Sequence, residues 1–175
     1  PWLIRLSMVM RVIGPIIYSG NNFTDPIDGR SYRKFLPYGY SGRIRNNAMS
    51  PGTNSLERHR LLYLYLKIST KFFTKKLKVL HIAPEQCFYY RFKQLNNLEV
   101  ISGDIESPLA DIHFDLHQIP LKENTFDVIF CNHVLEHVNN DITCLNELYR
   151  VMKPGGWGIF QVPFVRGTKK TIEDP

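Results

Sequence analysis

Hydrophobic and polar positions change rhythm near residue 77. Beyond it, short apolar runs alternate with segments of helical period: strands over 78–83, 98–102, 112–116, 126–132 and 158–162, with helices over 85–95 and 142–152. Strands separated by helices imply right-handed crossovers and a parallel, doubly wound α/β sheet with helices on both faces. Ahead of residue 77 the pattern is looser. The stretch 3–13 reads as an amphipathic helix, and 19–53 is rich in Gly, Asn, Pro and Ser, with turns at Asp28-Gly29 and Tyr38-Gly39. A helix is predicted from near Asn54 to about Phe73, with Glu57 as its capping-box partner. The expected organisation is a helix, loop-rich cap and long helix over 1–76, then the α/β core over 77–175.

Composition narrows the class without naming it. The 175 residues are 43% hydrophobic and 22% charged, ordinary values for a folded globular chain. The one membrane-like stretch, 2–17, is broken by Arg5 and Arg11, ends at Pro15, and is too short to span a bilayer core of about 30 Å. Cys87, Cys131 and Cys144 are widely spaced and suggest neither a disulfide framework nor a zinc knuckle, which points to a reducing, cytoplasmic setting. The net charge of +6 is uneven: residues 1–80 hold fourteen Lys and Arg against three Asp and Glu, and the remainder is acidic. A basic front half suits an anionic substrate, a nucleic acid or a lipid headgroup, although solvated faces would carry the same charge.

In doubly wound sheets ligands bind beyond the carboxyl ends of the strands, where strand order reverses. This chain puts its polar residues there. The first strand runs out through His81-Ile82-Ala83-Pro84-Glu85-Gln86-Cys87. The second leads into Gly103-Asp104-Ile105. The third gives Phe114-Asp115-Leu116, then Ile119-Pro120-Leu121, and the fourth gives Phe126-Asp127-Val128-Ile129-Phe130-Cys131-Asn132 followed by His133-Val134-Leu135-Glu136-His137. The block Glu147-Leu148-Tyr149-Arg150-Val151-Met152-Lys153-Pro154-Gly155-Gly156-Trp157 ends a helix at a proline and turns through glycines into a fifth strand.

In order and spacing over about 78–163, these blocks resemble the class I S-adenosylmethionine-dependent methyltransferases, type 11 group, with a Rossmann-like fold. His81 stands where that family has an acidic residue, and Ala83, Glu85 and Cys87 stand where it has three glycines. The resemblance implies S-adenosylmethionine as cofactor and a binding site at His81, Ile82, Ala83, Glu85, Asp104, Ile105, Asp115, Leu116, Asn132 and His133. Glu85 would meet the cofactor's amino group, Asp104 the ribose hydroxyls, Asp115 the adenine amino group and the Leu116 amide the ring edge. Asn132 and His133 would line the cleft. It also implies methyl transfer to a small-molecule acceptor, with no catalytic residue assigned; His133 or His137 could serve as a base.

Two other readings stay open: a non-catalytic methyltransferase-like binding domain, which the missing glycines favour, and an RNA-directed enzyme, which the basic front half favours. His133-x-x-Glu136-His137 also matches a zinc-peptidase spelling, but it sits at the end of a parallel strand with no third ligand signalled, and no metal is expected. The stretches 32–39 and 55–62 resemble a methyltransferase subgroup with a cysteine-rich insertion. The cysteine positions of that insertion fall on Asp25, Asp28, Ser50 and Thr53, so a metal-free loop cap is expected, with His59 and Arg60 structural. Thirteen residues follow Val162, too few for the two further strands such methyltransferases carry. The chain is therefore expected to be part of a longer protein, with self-association through strand five's exposed edge as a further expectation.

Overall fold

The structure is a computed structural model that describes residues 12–164 apart from Ser41. Most of the amphipathic helix expected over 3–13 therefore lies outside the described residues; Val12 and Ile13 fall in a stretch that is helical over 12–17. The chain divides into two compact units, Pro1–Thr74 and Lys75–Pro175.

The first unit corrects the expectation of loops over 19–53. It holds two small antiparallel hairpins, β1 (Ser19–Thr24) with β2 (Ser31–Tyr32) and β3 (Leu36–Tyr38) with β4 (Arg45–Met49). Both break register once, which blurs the alternation a sequence reader looks for. Helix α1 (Glu57–Ser69) starts later than predicted, because Asn54 is taken up by a turn at φ +58°. Its start is fixed by His59, whose Nδ1 accepts from the Leu56 amide at 3.1 Å. Arg60 donates to the carbonyls of Ser55 (2.7 Å) and Ala48 (3.0 Å) and lies over the Phe35 ring.

The second unit is the predicted sheet. Strands β5 (Leu77–Ile82), β6 (Leu98–Asp104), β7 (Ile112–His113), β8 (Phe126–Asn132) and β9 (Met152–Gln161) pair in parallel in the order β7-β6-β5-β8-β9. Helix α2 (Gln86–Lys93) connects β5 to β6, and α3 (Asp141–Val151) connects β8 to β9. Alternation along the central strands sends side chains to two faces. Leu80, Ile82, Ile129 and Cys131 pack with Cys144, Leu148 and Val151 of α3. His81 and Phe130 meet Phe92 of α2, with ring centroids 6.1 and 5.8 Å away. The chain order reverses between β5 and β8, so the crevice at their carboxyl ends is the topological switch point.

Several boundaries moved for identifiable reasons. β7 stops at His113 instead of 116, because Asp115 starts a turn in which its carboxylate accepts from the His117 amide. Asn140 caps α3 by accepting from the Thr143 amide at 2.9 Å, which starts the helix one residue early. β9 begins directly after α3 and bulges through 153–156, with Gly155 at φ +76°. Asp127 ties the amino-terminal side of the sheet: its carboxylate accepts from the Lys78 amide (2.8 Å) and from Lys153 Nζ (2.9 Å). Burial raises its pKa, yet these donors outweigh it and hold the group below the usual carboxylate range. A depressed carboxylate contributes stability above its unfolded pKa of about 4, and that contribution is lost as pH falls through the folded value.

Candidate functional site

The carboxyl ends of β5 and β8 bring buried polar side chains together across the switch point. His81 is 1% exposed, and its Nε2 contacts Glu85 Oε2. The other oxygen of Glu85, Oε1, accepts from Asn132 Nδ2 at 2.9 Å, so one carboxylate spans the switch point from strand to strand. Because Asn132 donates through Nδ2, its Oδ1 is fixed as an acceptor; that atom is buried and has no partner among the described residues. His81 Nδ1 is in the same state.

Each strand leaves this crevice through a left-handed residue that is not glycine, Ala83 at φ +46° and His133 at φ +56°. The Ala83 amide donates to the Gly103 carbonyl at 2.8 Å, and the His133 amide to the Gln161 carbonyl at 2.7 Å, so both turns are tied to the neighbouring strand. A side chain in this backbone region costs about 1–2 kcal/mol. Ala83→Gly relieves that cost, partly offset by about 0.5–1 kcal/mol of extra unfolded-chain entropy. Thermal denaturation should show the variant stabilised by roughly 0.5–1 kcal/mol.

Asp104 closes β6. Its Oδ1 accepts from the amides of Glu106 and Ser107, both at 2.8 Å, which shapes the loop and leaves Oδ2 for a ligand or water. Ile105 beside it is 66% exposed. Asp115 stands apart in the loop after β7, where the His117 amide and imidazole hold its exposed carboxyl below the usual range. Leu116 is buried in the core cluster. The structure thus brings together His81, Ala83, Glu85, Asn132 and His133, and places Asp104 at the end of the adjacent strand. An open depression of about 700 Å³ lies along Phe114, His117, Pro120, Lys122, Glu147 and Arg150; none of the ten predicted site residues lines it.

The zinc-peptidase spelling His133-x-x-Glu136-His137 does not fall on an α-helix. Leu135–His137 is a short 3-10 turn, and His133 pairs with Glu136 at 3.2 Å. Nor are the Cys131 and Cys144 thiols set up as nucleophiles. Burial, with smaller contributions from Cys144, Glu136 and Glu85, pushes Cys131 up to about 12, and burial pushes Cys144 up as well. Sequence reasoning missed Gln161, which ends β9 in register with Asn132 and carries a buried Oε1 with no partner among the described residues. No motif marks it.

A family profile described as a methyltransferase domain, type 11, matches residues 65–160. The chain belongs to this family, the class I S-adenosylmethionine-dependent methyltransferases. Over 87 residues it is 34% identical to a tRNA U34 carboxymethyltransferase of Nautilia profundicola, a match covering 50% of this chain and 27% of that protein. Cycloartenol-C-24-methyltransferase 1 of Oryza sativa subsp. japonica is 34% identical over 65 residues, 37% of this chain and 18% of that protein. The chain therefore spans about a quarter or less of these relatives' length. Among solved structures, the cyclase SpnF aligns over 86% of this chain and 57% of its own, with a TM-score of 0.50 and 14% identity, a likeness of fold alone.

Proposed function

We propose that this chain is the cofactor-binding part of an enzyme that transfers the methyl group of S-adenosylmethionine to a small-molecule acceptor in the cytoplasm. The observation that carries this reading is the Glu85 carboxylate, held between His81 and Asn132 at the switch point. The donor set fits the cofactor. A carboxylate and Asn132 Oδ1, which has no partner among the described residues, suit a ligand ammonium, Asp104 Oδ2 suits vicinal hydroxyls, and Asp115 suits an aromatic amino group. When bound, S-adenosylmethionine supplies an already activated methyl group. What falls to the protein is alignment and exclusion of water. Ala83 and His133 shape the two turns that bound the crevice, and the aromatic face of Phe92 and Phe130 keeps its floor dry.

The related proteins act, by their names, on tRNA and on a sterol, so kinship leaves the acceptor open. A small molecule is favoured because the turn after Asn132 runs His-Val-Leu and lacks the proline-rich tetrapeptide of amino-directed nucleic-acid enzymes. Calorimetry with S-adenosylmethionine and its demethylated product tests the cofactor, and labelled methyl transfer into a metabolite extract against total tRNA tests the acceptor. No binding at millimolar ligand would leave a non-catalytic domain. Asp104→Ala should weaken binding by about 1–3 kcal/mol, or roughly 5- to 150-fold, the scale for a lost hydrogen bond to a charged group. Calorimetric titration of that variant should give a measurable but weaker isotherm.

A further inference from the structure

Two turns in the first unit are built alike. Asp25 and Ser50 each open a five-residue turn closed on itself: the Gly29 amide donates to the Asp25 carbonyl at 2.8 Å, and the Asn54 amide to the Ser50 carbonyl at 3.0 Å. Both end on a left-handed residue, Gly29 at φ +73° and Asn54 at +58°. The turns face one another. Thr53 Oγ1 in the second donates to Asp25 Oδ2 in the first at 2.5 Å. Gly52 passes so close to Asp28 Oδ2 and the Tyr32 hydroxyl that a Cβ would collide with both.

The first and fourth residues of the turns are thus Asp25 and Asp28, Ser50 and Thr53. Paired positions with two residues between them, on facing turns, form the frame on which four thiolate or imidazole ligands hold zinc tetrahedrally. The donors here are two carboxylates and two hydroxyls, with none of the thiolates or imidazoles from which structural zinc sites are built. They are also committed elsewhere. The fully buried Asp25 accepts from the Ile27 amide (2.9 Å), Thr53 Oγ1 and Ser55 Oγ (3.1 Å), while Asp28 accepts from the Arg30 amide (2.9 Å) and the Tyr32 hydroxyl (2.6 Å). Ser50 Oγ is fully buried and has no partner among the described residues, a corner of the frame that the network does not use.

We propose that positions 25, 28, 50 and 53 form a paired metal-knuckle frame in which a hydrogen-bonded node centred on Asp25 takes the place of the ion. A buried carboxylate is tolerated only with its lone pairs filled. The Thr53 hydroxyl of the second turn, the Ser55 hydroxyl directly after it and the Ile27 amide fill them, and in doing so they cross-link the turns as a metal would.

The test has two arms. The unaltered chain, expressed with added zinc, should retain less than about a tenth of an equivalent of metal, and EDTA should leave its Tm unchanged. The variant D25C/D28C/S50C/T53C should bind one zinc per chain, and with Co(II) should give the visible absorption of a tetrahedral thiolate site. A folded quadruple variant that takes up no metal overturns the frame, and stoichiometric zinc in the unaltered chain overturns the substitution of node for ion. Should the quadruple variant not fold, Thr53→Val decides. It keeps the shape and removes the cross-turn hydroxyl, and should lower Tm by about 3–6 °C; an unchanged Tm overturns the node.

Discussion

Glu85→Ala should both loosen the core and abolish most of the cofactor affinity. The carboxylate contacts His81 Nε2 and accepts from Asn132 Nδ2, and the far atoms of both side chains, Nδ1 and Oδ1, are already unpartnered among the described residues. Truncation leaves the Asn132 amide buried without its acceptor and His81 Nε2 with only the long contact from the residue-85 backbone amide (3.4 Å), at about 1–3 kcal/mol for each group. A total near 3 kcal/mol corresponds to a fall in Tm of roughly 10 °C. Binding of S-adenosylmethionine should weaken by more than about 30-fold, since a charge-assisted contact is lost together with the geometry of its neighbours. Glu85→Gln separates the two effects. It retains an acceptor for Asn132 and nearly the same shape, so its Tm should fall far less while affinity still drops. Calorimetry and thermal melts on both variants check this; wild-type affinity in Glu85→Ala would remove Glu85 from the site.

Phe130→Ala carries the largest expected loss of stability, about 3–5 kcal/mol for emptying a buried aromatic position. Phe130 is 1% exposed in the middle of β8, and its ring lies 5.8 Å from His81, 5.8 Å from Phe92 and 6.2 Å from Trp157. The cavity would open beneath the crevice and free the imidazole that holds Glu85. Urea denaturation should give a much lower midpoint with an unchanged m-value, and the near-ultraviolet signal of Trp157 should weaken. A loss under about 1 kcal/mol would mean that the floor of the site collapses to fill the gap.

How far the sequence reveals this molecule depends on the range of the forces involved. β8 was legible residue for residue, because seven consecutive positions with a buried apolar majority have few other solutions in an α/β chain. The hairpins of the first unit were not. Their strands are short and largely polar, and irregularities hold them: a register break in each pair, and Asn47 at φ +54° with its side chain accepting from the Phe35 amide. Helix α1 was seen but started too early, since Asn54 resembles a helix cap and serves instead as the last residue of a turn.

The site divides in the same way. Ala83 could be identified as the place of a glycine, and the structure gives it the left-handed backbone that glycine favours. Glu85 could be named as an acid near the cofactor. That Asn132, 47 residues away, would hold it, and that His81 would do so from within the preceding strand, depended on strand pairing across the switch point. Asp127 could be placed in its motif, but its task of tying three strands together appears only once Lys78 and Lys153 are beside it.

That tie gives the sheet a direction. At one end, Asp127 binds β5, β8 and β9 through an amide and an ammonium; at the other, Asn132 and Gln161 close their strands with buried acceptors left unpartnered among the described residues. Local opening starts where interactions are fewest. Backbone amides along β8 should therefore exchange with solvent slowest around Ile129, where the strand is paired on both sides, and faster toward Asn132, a gradient running toward the crevice. A ligand that supplies the missing donors would flatten this gradient by slowing the fast end. Residue-resolved hydrogen exchange would then register occupancy of the crevice even for a molecule that is never turned over.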